Sequence, residues 1–208
     1  MDEHYNVFTE EFGLGFNRRE APDSTLTRYA SRLPSQLLEY WEKYGWCGYV
    51  DGLFWTVDPQ EYENLVDAWV SAIPELAHEK LHVIARSAFG DLYLWGEKKG
   101  HCLTVFSLTA RYSLRTSKLI GVHMDLGVQA FFSFVKKNHH DFCDIFYPLL
   151  AKLGKLKTDE MYGLVPALAL GGSTSLENFE KLKTIEHLTF LSQLMPLMPW
   201  AFSGIEIN

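Results

Sequence analysis

The sequence predicts an α+β protein: N-terminal helices with an antiparallel sheet, followed by a smaller, mainly α-helical domain. Three observations carry this. Residues 34–44 and the stretch from Asp58 to Pro74 place apolar residues at helical spacing between Pro and Gly boundaries. Residues 81–106 contain short apolar runs separated by Gly-containing turns, as in a meander. After about residue 120 the strand-like runs give way to helix-like ones, so the domains are placed at 1–120 and 121–208.

Taken in order, Pro34 suits the first position of a helix whose apolar stripe is Leu37, Leu38, Trp41 and Tyr44, and Gly45 suits the position past its end. Tyr49 to Val57 reads as extended chain broken by Asp51-Gly52. Asp58-Pro59-Gln60-Glu61 reads as the start of a second helix, with Asp58 as cap and Glu61 reaching back as in a capping box. Tyr62, Leu65, Val66 and Trp69 form its buried stripe. Strands follow at Leu81–Ile84, Leu92–Trp95 and Cys102–Phe106, with turns at Gly90-Asp91 and Glu97–Gly100, and a further strand is expected near Ala110–Leu114.

In the second part, Val128–Val135, Phe142–Leu153 and Leu176–Leu194 have helical spacing. Pro148 is expected to kink or restart the second of these. Tyr162 to Gly172 is an apolar connection ending in Gly171-Gly172. That pair serves either a turn needing positive φ or a contact surface.

The composition narrows the function. The 208 residues carry a net charge of −7, which argues against binding a nucleic-acid backbone directly. From Glu39 to Glu79 there are nine acids and one base, Lys43. Such an excess is either a solvated helix face or a field that steers a basic partner. The N-terminus has no basic region followed by an apolar run, and no apolar stretch is long enough to span a bilayer. The three widely spaced cysteines read as buried thiols in a reducing cytosol, so a cytoplasmic protein is expected.

The sequence offers little catalytic chemistry. His139-His140 with Asp141 and Asp144 is the densest group of metal-ligand types, but no second cluster has zinc-site spacing, and an amphipathic helix surface accounts for it. Gly171-Gly172-Ser173-Thr174-Ser175 lacks the last glycine of a nucleophile elbow. Gly13-Leu14-Gly15 is a bare G-x-G without a preceding strand. Asp51, Asp58 and Glu61 can gather, but caps and turns already explain two of them. No catalytic residue, metal ligand or cofactor is therefore expected.

A resemblance supplies more. Leu33–Leu38, Tyr40–Trp46, Gly52–Pro59 and Ala88–Trp95 together resemble a GAD-related domain. Tyr162–Gly172, Glu177–Lys181 and Glu186–Leu188 resemble the small helical domain that follows it in type VI secretion immunity proteins. The helix-then-sheet pattern with a Gly-Asp turn is also similar to Smi1/Knr4-like proteins, which offers an alternative: a regulatory scaffold without a toxin partner. The type VI resemblance implies an immunity protein that binds and neutralises a DNase toxin, with no catalytic residues of its own. It also implies a cytosolic, equimolar complex of this chain with the toxin, without contact to nucleic acid or membrane.

For such a partner, Asp51 lies in a turn beside Phe54 and Trp55, so a charge and an aromatic anchor are expected together. Glu61, Glu63 and Asp67 lie on the second helix, where Glu63 and Asp67 are four apart and share a face. Asp51, Phe54, Glu61, Glu63 and Asp67 are the expected partner-contact residues.

Overall fold

A computed structural model describes residues 2–115 and 123–200. The chain runs α1 (Glu3–Phe12), β1 (Phe16–Arg19), α2 (Asp23–Tyr29), α3 (Ser35–Tyr44), β2 (Trp46–Tyr49), β3 (Phe54–Thr56) and α4 (Glu63–Trp69). The meander β4 (Leu81–Ser87), β5 (Leu92–Gly96), β6 (Gly100–Phe106) and β7 (Arg111–Leu114) follows. Then come α5 (Met124–Phe134), α6 (Phe146–Leu153), β8 (Glu160–Leu164), β9 (Phe179–Lys183), α7 (Thr184–Leu194) and the two-residue β10 (Met198–Pro199). The architecture is α+β, as the sequence pattern predicts.

One sheet has the order β1-β2-β3-β4-β5-β6-β7-β10. Its neighbours are antiparallel except β10, which lies parallel to β7. The β8–β9 hairpin forms a second, two-stranded sheet. The turn from β4 to β5 is built by side chains: Ser87 Oγ accepts from the Phe89 and Asp91 amides, and Asp91 closes it by accepting from the Ser87 hydroxyl at 3.0 Å.

Both faces of the central strands are buried, which their residue pattern explains. Leu92 and Leu94 of β5 point to one face, and Tyr93 and Trp95 to the other. The first face is covered by α4, α6, α7 and the hairpin, through Leu65, Trp69, Phe146, Leu149, Phe179 and Leu188. The second is covered by α1, α2, α3 and α5, through Phe8, Phe12, Tyr29, Trp41, Val128 and Phe132. α5 packs against α1 and α3 although it follows the meander in sequence. α7 packs against α4. No helix among the described residues is long and apolar enough to cross a membrane.

Three local expectations are corrected. Leu176–Leu194 is not one helix. A single 3-10 turn and β9 precede α7, because β8 offers Phe179–Lys183 a complete antiparallel partner from Leu164 to Glu160. Phe179 and Leu182 fit either periodicity, and the pairing decides between them. The helix expected from Phe142 begins only at Phe146. Pro148 sits in its first turn, where no intrahelical amide is needed, and so does not kink it. Of the three thiols, Cys47 and Cys102 are buried, but Cys143 is exposed in a turn where it and Asp144 have positive φ.

Candidate functional site

The acidic stretch is less bare in space than in sequence. Asp51 lies in a tight turn, with φ of 49° at Val50 and 54° at Asp51. Its carboxylate meets Lys155 Nζ at 2.7 Å. Glu61 does not close a capping box. The amide of Gln60 is taken by Asp58 Oδ1 at 3.0 Å, and the Glu61 carboxylate turns instead to the Arg19 guanidinium from β1. Arg19 also lies 5.0 Å over the Trp46 ring. Glu63 accepts from Arg28 Nη2 at 2.7 Å and from the Tyr29 hydroxyl at 3.0 Å. Burial opposes its charge, but the Arg28 and Tyr29 hydrogen bonds prevail and hold its carboxyl below the usual range.

The bases that offset these acids come from residues 19, 28 and 155, outside the Glu39–Glu79 stretch. Asp67 is exposed and makes no ion pair among the described residues, and the same holds for Glu39 and Glu42 on α3. The surface therefore mixes free carboxylates with carboxylates already engaged by a guanidinium or ammonium.

Phe54 is fully buried and is removed from the contact set. It packs against Phe8, Phe12, Tyr93 and His140. Its neighbour Trp55 is buried on the opposite face and donates its indole N–H to the Gly52 carbonyl at 2.8 Å. The proximity of Phe54 to an Asp-Gly turn suggested exposure. β3, however, lies inside a sheet covered on both sides, so neither ring is presented to solvent.

A cleft of about 220 Å³ opens where β1–β3 meet the hairpin and α7. The Arg19–Glu61 pair stands on one side and the Asp159–Lys183 pair on the other, with Glu186 alongside and Trp55 within. Beside it Arg86 is completely buried, 5.0 Å over the Trp55 ring. Its guanidinium donates to the Ser87 and Thr158 carbonyls at 3.1 and 2.8 Å, which ties β4 to the segment leading into β8. Burial pushes its pKa below the ordinary value for arginine. This buried cation was not visible in the sequence, where Arg86 lies beyond the expected strand Leu81–Ile84.

The His139–Asp144 group does not form a metal site or a helix surface. His140 turns inward, with its Nδ1 2.5 Å from the Tyr93 hydroxyl, while Asp141 Oδ1 accepts from the Phe146 amide at 2.9 Å at the start of α6. No cluster of three or more metal-ligand side chains occurs among the described residues.

The GAD-like domain family matches residues 3–109, and the family described as T6SS immunity protein Tdi1, C-terminal, matches residues 125–195. No curated protein matches the chain. Among solved structures, the crystal structure of Atu4351 from Agrobacterium tumefaciens superposes with a TM-score of 0.84 at 22% identity. The alignment covers 98% of this chain and 95% of that one, which establishes a shared fold. With the first match spanning more than half its length and the second following in order, the chain belongs to the GAD-like domain family and carries the C-terminal region of a type VI secretion immunity protein.

Proposed function

We propose that this protein binds and neutralises a cognate type VI secretion DNase toxin in the cytosol, as a 1:1 complex that covers the toxin's DNA-binding or active-site surface. The observation that carries this reading is the immunity-protein C-terminal match on a chain of net charge −7. A DNase must present positive charge to DNA. An acidic inhibitor complements that surface and is steered towards it. Asp51, Glu61, Glu63 and Asp67 are the proposed contacts. Three of them are held in place by a base of this chain. A toxin arginine or lysine meeting Glu61 or Glu63 competes with Arg19 or Arg28, so these acids favour a partner able to offer several cations together.

Cytosolic action follows from the target, since a DNA-cutting toxin acts on the chromosome. Co-expression with the product of the adjacent gene tests the proposal. Co-purification of the two, with DNA cleavage suppressed, supports it. A nuclease neighbour that neither co-purifies nor loses activity overturns it.

A further inference from the structure

A second cavity, of about 550 Å³, lies between α5 and the β5–β7 part of the sheet. It shares no lining residue with the cleft beside the Arg19–Glu61 pair. Trp95, Phe131 and Phe134 contribute aromatic surface, and among the described residues its charged or titratable lining is Arg115, Tyr93 and histidines, with no carboxylate. That is the reverse of the chain as a whole, which is acidic.

Two of the histidines have unused hydrogen-bonding capacity. His140 is 2% exposed. Its Nδ1 shares a hydrogen bond of 2.5 Å with the Tyr93 hydroxyl, which burial keeps protonated. Whichever of the two donates, Nε2 is buried and has no hydrogen-bond partner among the described residues. His101 Nε2 is also buried without a partner among the described residues. Burial pushes both imidazoles down to about 3, so both rings are neutral at pH 7. Both imidazoles line the same cavity, and each keeps a ring nitrogen without a partner among the described residues, where buried polar atoms are ordinarily paired.

Cavities of roughly 300–1,000 Å³ with aromatic walls and a few convergent polar groups suit small organic ligands. We propose that this cavity binds a small planar aromatic carboxylate, with its ring among Trp95 and Phe131 and its negative group towards Arg115. The described lining disfavours the lysine- and arginine-rich surface of a nuclease, because it offers positive charge and no acid. The site is therefore separate from the toxin contact.

Calorimetric titration of the intact protein with 2-naphthoate, and with the uncharged 2-naphthamide, tests this. Naphthoate is expected to bind saturably at one site, with naphthamide weaker by about tenfold or more. Arg115→Gln should weaken naphthoate by a similar factor, and Ala130→Phe, which fills the cavity from α5, should abolish binding. Absence of saturable naphthoate binding overturns the proposal, as does equal affinity for the two probes or unchanged affinity in Ala130→Phe. Should Ala130→Phe fail to fold, the comparison of probes and the Arg115→Gln variant decide the matter alone.

Discussion

The connection between β8 and β9 separates the two roles open to Gly171-Gly172, and the structure assigns a different demand to each glycine. Gly171 has φ +82° with nothing within 4 Å of where a Cβ would sit. A Cβ on Gly172 would lie 1.9 Å from the Pro166 carbonyl oxygen, whereas real Cβ contacts essentially never fall under 3.0 Å. The obstacle is backbone, so Gly172→Val must open the loop by more than 1 Å. Opening it breaks the bonds of the Leu170 and Gly172 amides to the Ala167 carbonyl and of the Gly171 amide to the Leu168 carbonyl. At about 1 kcal/mol net for each bond, the loss is about 2–4 kcal/mol. For a protein of this size that corresponds to a melting temperature lower by about 4–16 °C. Gly171→Asn, in a conformation asparagine tolerates, should cost less than about 1 kcal/mol. Scanning calorimetry of the two variants provides the comparison. A Gly172→Val protein that melts with the wild type but no longer binds toxin would refute the structural role and make the loop a contact surface.

Four further outcomes are expected from burial and charge. Trp41 is 1% exposed and packs edge-on to Tyr29 and Trp46, so Trp41→Ala should destabilise by about 3–5 kcal/mol in chemical denaturation; an unchanged midpoint would contradict its place in the core. His101 and His140 are held at about 3 by burial, against about 6.5 when unfolded. The unfolded chain therefore binds more protons between these values. Stability should be fully present above about pH 6.5 and fall as the pH drops towards 3, so equal urea midpoints at about pH 7.5 and pH 5 would contradict neutral burial. Asp67→Asn should slow association with the toxin and weaken its salt dependence while leaving dissociation nearly unchanged, because this acid is exposed and unpaired among the described residues; stopped-flow kinetics at two salt concentrations reads this. Glu63→Gln should slow association further, since it also releases Arg28 to face a basic partner, and an effect no larger than that of Asp67→Asn would count against the Arg28 pair.

What could be read from the sequence was what is decided locally. The helix after Pro34 announces itself through its apolar stripe and Gly45, Asp58 caps the turn that follows it, and the meander is punctuated at Gly90-Asp91 and Gly100. What escaped was decided by distant partners. Phe179–Lys183 becomes a strand because β8 is there to pair with it. Phe54 is covered because α1 and the His140 turn close over the second sheet face. The acidic stretch is partly neutralised because Arg19, Arg28 and Lys155 fold onto it, and a count along the chain does not see bases that arrive through space. None of the elements expected from the sequence covers the segment before residue 30, which forms α1, β1 and α2. Its aromatic residues Tyr5, Phe8 and Phe12, spaced three and four apart, were the pattern that marks α1.

The most direct measurement is a titration of DNA cleavage by the adjacent gene's nuclease with the purified protein, alongside the mass of the mixture by size-exclusion chromatography with light scattering. Neutralisation by binding predicts that cleavage falls linearly to background at an equimolar ratio, that the two chains elute as one 1:1 species, and that the nuclease in that species no longer retains DNA. Undiminished cleavage at a molar excess of this protein, with the two chains eluting separately, would contradict it.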